Sequence, residues 1–220
     1  MNKQEELWAG EFGDAYQKRN RVDWRARIPF WKRVLNVTGA RSVTEIGCAC
    51  GWNLSAIHRA FPDINLCGIE INEYAAQQAK DAGLRIGHPT RICGFCEVTP
   101  EPGKYYECMR APCGFMDESS RIKYPAAELV LTAGVLIHQE GDALKAMMQA
   151  IVNASYQYVL AVEYPASEEE HIKYRGMDGY LWKRPYGRLY RALGLKELAS
   201  WPVTKLDGFD DCQVWLLTKF

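Results

Sequence analysis

The feature that most restricts how this chain can fold is the run Val43-Thr44-Glu45-Ile46-Gly47-Cys48-Ala49-Cys50-Gly51-Trp52-Asn53-Leu54, followed by Glu70 at the end of the next apolar stretch. Ser42–Ile46 reads as a short buried strand with an acid near its end, and residues 47–51 read as a tight turn. Residues 53–61 read as a helix with Leu54, Ile57 and Phe61 on one face. Asn65–Ile69 is a second strand, so the unit is β-α-β. Its two glycines let backbone approach a ligand with no Cβ in the way, and the following helix offers unpaired N–H groups to an anionic group. Glu70, at the tip of the second strand, can accept two hydrogen bonds from a ribose diol.

Which nucleoside fits depends on a third small-residue position. A dinucleotide fingerprint needs Gly or Ala five residues after its first Gly, where helix and strand pack closely. Here that position holds Trp52, and a bulky indole argues against NAD. The pattern Glu45-x-Gly47-x-Ala49-x-Gly51 instead resembles motif I of class I S-adenosylmethionine-dependent methyltransferases. Glu70 then matches their ribose-binding acid.

With 220 residues, the chain fits one domain with a full core. Lys+Arg and Asp+Glu balance at 27 each, so no global field draws it to nucleic acid or an anionic membrane. No apolar run approaches the ~20 residues that span a bilayer, and residues 1–8 are polar and acidic rather than a secretory signal. A cytoplasmic enzyme without a membrane partner is the simplest expectation. In such a setting the eight cysteines are reduced thiols or metal ligands. Cys48, Cys50, Cys67 and Cys212 read as small buried side chains. The other four cluster as Cys93-x-x-Cys96 and Cys108-x4-Cys113, one close pair and one looser, and are the candidate ligands of a single structural zinc. The competing reading is four unligated thiols in an irregular insert.

Along the chain, residues 5–38 read as helical in two pieces. Trp8, Phe12, Tyr16 and Asn20 share a face of the first, Asp23 caps the second, Pro29 kinks it or delays its start, and Gly39 closes it. Asn72 caps a helix through Ala79 that stops near Gly83. Residues 84–124 lose periodicity and are rich in Gly, Pro and Cys, an improbable structureless loop unless something such as a metal orders it. Regularity returns with a strand at 127–132, the segment Val135-Leu136-Ile137-His138, a helix at 142–153 and an apolar strand at 156–164. A helix at 185–193 and a strand at 212–219 complete the pattern. Alternating strands and helices predict an α/β fold with a doubly wound, mostly parallel sheet and ligands outside the carboxyl ends of the strands. On this reading residues 1–220 form a single domain with a helical lid at 1–38, a Cys-rich insert at 84–124 and a substrate-side segment at 164–196.

Beyond motif I the chain resembles the methylases associated with pseudaminic acid biosynthesis. The resemblance rests on Phe12-Gly13-Asp14-x-Tyr16-x-x-Arg19-Asn20, on Gly47-x-x-x-Gly51-x-Asn53-Leu54, on the run from Glu128 through Thr132 to His138, and on Glu163-Tyr164 with Tyr174-Arg175-Gly176-x-Asp178-x-x-x-x-Lys183-Arg184. The cysteine insert and the Cys-Ala-Cys turn depart from that group. The resemblance implies S-adenosylmethionine as cofactor and a small, sugar-like or nucleotide-linked acceptor methylated on O or N. Gly47, Cys48 and Gly51 would then lie under the methionine part, and Glu45, Asn53 and Thr132 are further candidate cofactor contacts. Glu70 would hold the ribose, Ile71 would cover the adenine, and Asp117 would meet its amino group. Arg19 is the candidate partner of a methionine or substrate carboxylate.

His138, just past a strand end, has a pKa suited to taking a proton from a hydroxyl or ammonium nucleophile. Glu163 and Tyr164 end the next strand and are further catalytic candidates. Tyr16, Asn20, Tyr174, Arg175, Asp178, Lys183 and Arg184 are the candidate acceptor contacts, rings stacking on sugar faces and arginines pairing with phosphate. Two other readings compete: a methyltransferase acting on a nucleic-acid base or protein side chain, and a non-catalytic module that uses the cofactor fold to dock a partner. Neutral charge and the absence of an Asn/Asp-Pro-Pro-Tyr/Phe tetrapeptide after the fourth strand, where Thr132-Ala133-Gly134-Val135 stands, count against the first. The intact Glu45, Gly47, Gly51 and Glu70 count against the second.

Overall fold

Successive side chains of a strand point to opposite faces, so a strand that is apolar throughout must be covered on both sides. The central strands of this protein obey that rule. In the computed structural model, which describes residues 1–87 and 125–220, Leu129, Leu131, Leu160, Val162, Val214 and Leu216 pack with Phe30, Trp31 and Ile57 on one face. Val130, Val159, Ala161, Trp215 and Leu217 pack with Met148, Ile151, Tyr186 and Tyr190 on the other. Truncating any one of the fully buried leucines to alanine costs about 2–5 kcal/mol.

The elements run α1 (Lys3–Ala9), α2 (Glu11–Arg19), α3 (Ile28–Thr38), β1 (Ser42–Ile46), α4 (Trp52–Ala60), β2 (Asn65–Ile69), α5 (Glu73–Asp81) and β3 (Ile86–Gly87). They continue with β4 (Ala127–Ala133), α6 (Gly141–Ala154), β5 (Ser155–Glu163), β6 (Glu170–His171), β7 (Trp182–Lys183), α7 (Tyr186–Ala192), β8 (Lys196–Val203) and β9 (Cys212–Thr218). Among the described residues, seven strands form one sheet in the order β3-β2-β1-β4-β5-β9-β8. The first five are parallel, and β9 runs antiparallel to both its neighbours. The chain winds outward from β1 through β2 and β3, then returns to β4 on β1's other side. This reversal leaves a crevice at the carboxyl tips of β1 and β4.

The N-terminal helix is shorter than its periodicity suggests. It breaks at Gly10, whose extended backbone separates α1 from α2. The two helices pack so closely that a Cβ on Gly13 would lie 2.0 Å from the Trp8 carbonyl oxygen. Asn72 Nδ2 donates to that same carbonyl (3.2 Å) and to Asp14 Oδ1 (2.8 Å), which pins both helices beside the tip of β2. Asp23 caps a 3-10 turn at Trp24–Arg27 rather than the helix itself. Pro29 then falls in the first turn of α3, where its missing N–H costs no bond. Gly39 ends that helix at φ 64°.

Three strand features escape the sequence pattern. β8 is mostly solvent-facing and contains Pro202, which a strand tolerates at the edge of a sheet. β3 falls inside the stretch 84–124 and pairs with β2 through two residues. β6 and β7 form a separate two-stranded ribbon of two residues each, too short for any periodicity to register.

Candidate functional site

The tips of β1, β2, β4 and β5 open into a cleft of about 1300 Å³. Its floor is the turn after β1. Gly47 adopts φ 70°, and a Cβ there would sit 2.5 Å from Val135 Cγ2, so only glycine lets β1 and the turn after β4 approach this closely. The amides of Gly47 and Cys48 donate to the Ile69 carbonyl at 2.7 and 3.0 Å, which ties the turn to β2. Ala49 is left-handed at φ 50°, a conformation that costs a non-glycine residue about 1–3 kcal/mol. Its amide donates to Glu70 Oε2 at 2.7 Å, while the Asn72 amide donates to Glu70 Oε1 at 2.8 Å. Burial pushes the Glu70 carboxyl up, and these backbone donors pull it back. Each carboxylate oxygen accepts more than one hydrogen bond, so Glu70 keeps capacity for a diol.

Beneath the turn lies a buried polar chain. Glu45 Oε1 accepts from Asn53 Nδ2 at 2.6 Å, and Asn53 Oδ1 accepts from Arg27 Nη1 (2.9 Å) and Trp31 Nε1 (3.2 Å). Arg27 is fixed further by its Nε bond to the Gly208 carbonyl at 2.9 Å and by the Phe209 ring 4.2 Å away. Glu45 is pushed up to about 8 by burial, against the Asn53 hydrogen bond and the Arg27 charge. Its Oε2 is buried and has no hydrogen-bond partner among the described residues. A buried carboxyl oxygen without a partner beside a glycine turn is a polar atom that a ligand group could satisfy.

The opposite wall is aromatic. The His138 ring packs 4.6 Å from Trp8 and 5.3 Å from Tyr174, and Phe12 and Tyr16 pack around Trp8 at 5.3 and 5.1 Å. His138 Nδ1 lies 2.6 Å from the Tyr180 carbonyl, which can only accept, so Nδ1 carries the proton and Nε2 is left as the acceptor. Burial holds His138 down to about 4, so the ring is neutral at physiological pH. Tyr164 donates its hydroxyl to Asp210 Oδ2 at 3.0 Å. Burial and that carboxylate raise the phenol well above its ordinary range.

The cleft brings together most of the residues singled out in the sequence. Glu45, Gly47, Cys48, Asn53, Glu70 and Ile71 line it on the β1–β2 side. Tyr16, Arg19 and Asn20 reach it from the end of α2, and His138, Tyr164, Tyr174 and Arg175 from the far side. Six others do not line it. Gly51 is turned away: a Cβ there would meet Leu84 Cδ1 at 2.2 Å, so it serves the packing of α4 against the segment after α5. Thr132 is wholly buried within β4. Asp178 and Lys183 border the ribbon rather than the cleft.

Glu163 and Arg184 are corrections of another kind, because both hold the segment that carries His138. Glu163 is fully buried and accepts the amides of Val135, Leu136 and Ile137 at 3.2 to 3.4 Å. Burial pushes it up to about 7. Arg184 is 1% exposed, donates to Glu169 Oε2 (2.6 Å) and reaches the Leu136 carbonyl (3.3 Å). Asp117 and the four cysteines Cys93, Cys96, Cys108 and Cys113 lie outside the described residues. Among the described residues no cluster of His, Cys, Asp and Glu could hold a metal ion, and no helix is long and apolar enough to cross a membrane.

Sheet order, the glycine turn at the switch point and the acid at the tip of β2 together decide the fold type. The fold is that of the S-adenosylmethionine-dependent methyltransferases. Mitomycin 7-O-methyltransferase MmcR superposes over 100% of this chain with a TM-score of 0.61 and 15% identity, and the chain spans 61% of that protein's length. The magnesium protoporphyrin IX methyltransferase ChlM of Synechocystis, solved with bound S-adenosylmethionine, gives 0.61 at 8% identity over 100% of this chain and 99% of its own. The sugar N-methyltransferase KedS8 of Streptoalloteichus gives 0.57 at 13% identity over 96% and 93%. The sequence matches no protein-family model and no curated protein.

Sequence reasoning missed Arg27 and the cleft-lining segment between β8 and β9, including Phe209 and Asp210. Arg27 sits in a short turn with no motif around it, and Gly208 and Asp210 are some 180 residues further along. No local signal marks either.

Proposed function

We propose that this protein is an S-adenosylmethionine-dependent methyltransferase that transfers a methyl group to O or N of a small, sugar-like or nucleotide-linked acceptor. The observation that carries this reading is the pair of buried carboxylates framing the glycine turn, Glu70 on the tip of β2 and Glu45 with its unpaired Oε2. The bound cofactor supplies a methyl group already activated on a sulfonium, so the protein's task is alignment, exclusion of water and control of protonation. Glu70 accepts the ribose hydroxyls, Gly47 lets backbone approach the amino-acid end, and Ile71 covers the base. Trp8, Phe12, Tyr16 and Tyr174 shield the cleft from water. Burial lowers His138 to about 4, below the range that suits a strong base, so His138, its tautomer fixed through Tyr180, offers Nε2 as a hydrogen-bond acceptor that orients the acceptor's hydroxyl or amine.

Two features support the acceptor class. Arg19 and Arg175 line the cleft and form no ion pair among the described residues, which suits an acceptor bearing phosphate or carboxylate. Arg175 stands at φ 50° in the turn between the bonded Tyr174 and Met177, a strained placement for a side chain that borders a ligand cleft. The sugar-like character rests on the sequence resemblance to the pseudaminic acid-associated methylases. Calorimetry with S-adenosylhomocysteine, followed by transfer of labelled methyl groups to a panel of nucleotide sugars, tests the reading. His138→Asn is expected to cut turnover about 100-fold while leaving cofactor affinity unchanged. No binding of adenosyl compounds overturns the proposal.

A further inference from the structure

The aromatic wall of the cleft carries three polar atoms with no hydrogen-bond partner among the described residues. Gln139 is 6% exposed and lines the cleft, and its Oε1 is buried and unpartnered. The indole Nε1 of Trp8, whose ring packs 4.6 Å from that of His138, is buried and unpartnered in the same way. His138 completes the set, because its Nδ1 proton is committed to the Tyr180 carbonyl and Nε2 is left to accept. Ile137, Met147 and Leu181 line the same cleft, belong to one apolar cluster and have no side-chain N–H or O–H to offer. A buried carbonyl oxygen without a donor destabilises the protein that carries it, and a ligand that supplies the donor removes that penalty.

Two acceptors and one donor discriminate between methyl acceptors by the number of protons each can give. A hydroxyl has one proton and can satisfy His138 or Gln139, not both. A primary amine has two N–H groups, one for each, and keeps its lone pair free for the methyl group. The Trp8 N–H then requires an oxygen elsewhere on the same molecule. We propose that His138, Gln139 and Trp8 form an acceptor site selective for a primary amine flanked by a hydroxyl, as in an amino sugar. This rests on the reading of the cleft as a methyltransferase site and narrows the methylated atom from O or N to N. The amine binds as the free base, its ammonium proton left to water. Its lone pair forms the new N–C bond as the S–C bond of the donor breaks and that electron pair returns to sulfur. The methylated ammonium that results gives its extra proton to water as it leaves.

Calorimetry on the protein saturated with S-adenosylhomocysteine tests this with glucosamine 6-phosphate and glucose 6-phosphate, which differ only in an amine against a hydroxyl, in mildly alkaline buffer where the amine is uncharged. The unaltered protein is expected to bind the amine about tenfold more tightly or better, and Gln139→Leu to bring the two probes within about threefold of each other while keeping S-adenosylhomocysteine affinity. Trp8→Phe, which keeps a ring and removes the N–H, is expected to weaken both probes alike. Melting of the ligand-free protein supplies a readout that needs no acceptor: Gln139→Leu removes an unpartnered oxygen and is expected to raise the melting temperature by about 2 °C or more. A lower melting temperature makes Gln139 a packing residue and overturns the proposal, as do equal affinities for the two probes or failure of both to bind. Those outcomes leave the donor site standing. Failure to bind S-adenosylhomocysteine overturns the methyltransferase reading itself.

Discussion

Glu70 accepts the amide of Ala49 at 2.7 Å, so the acid that ends β2 holds the left-handed residue in the turn after β1. The second carboxylate oxygen holds the Asn72 amide, and the Asn72 side chain in turn holds α1 and α2 through Trp8 and Asp14. Glu70 and Asn72 together thus link the floor of the cleft, its proposed ribose site and the two N-terminal helices.

From this linkage, Glu70→Ala is expected to weaken binding of S-adenosylhomocysteine at least about tenfold, because it strands ribose hydroxyls and two backbone donors together. Titration calorimetry measures this directly. An affinity equal to that of the unaltered protein removes Glu70 from the site.

Arg184 and Glu163 clamp the Val135–Ile137 backbone from its carbonyl and amide sides, and His138 follows immediately. Replacing Arg184 with Met leaves the Leu136 carbonyl without this donor, and the expected cost is about 2–4 kcal/mol of stability. Turnover should fall with it while donor affinity is kept, since neither residue lines the cleft. Chemical denaturation and calorimetry on one preparation check both halves. A turnover number identical to that of the parent protein counts against the clamp.

Ligand-free stability should depend on pH with a defined sign. Glu45 and Glu163 are raised by burial to about 8 and about 7, above their ordinary 4.5, so the folded state binds more protons than the unfolded chain over that interval. Their contribution is complete below 4.5 and is lost as pH climbs through the folded values. His138, lowered to about 4 from 6.5, works in the opposite direction, stability rising with pH between 4 and 6.5. The two effects offset each other below 6.5, and between pH 6.5 and 8 only the carboxylates act. Melting temperature is therefore expected to drop across that window, and Glu45→Gln to flatten the drop. Parallel slopes for variant and parent in scanning calorimetry would contradict this.

Much of the framework was legible in the chain because it depends on short-range rules. Short, largely apolar runs mark β1, β4, β5 and β9, Asn72 caps α5, and Gly39 closes α3. Gly47 and Glu70, which line the cleft, were readable together because strand, turn and following acid sit within thirty positions of one another. The edge strand β8 was not readable: its exposure and Pro202 erase the alternation that burial imposes. Glu163 and Arg184 misled for a related reason. Glu163 looks catalytic and Arg184 looks like an acceptor contact by type and position, yet each is drawn into the protein by backbone groups that the sequence does not reveal.

What the amino-acid order determined alone is the β-α-β unit with its glycine turn and the alternating α/β plan, since both follow from apolar patterning and from backbone angles that favour glycine. Tertiary structure alone decided which charged side chains line the cleft. It placed Arg27 against Asn53 and Gly208, tucked Arg184 behind the cleft, and locked the tautomer of His138 through Tyr180. Those outcomes depend on contacts between residues as many as 181 positions apart. Such pairings form because the sheet brings its strand tips together, and buried polar groups must then find their partners among whatever lies there.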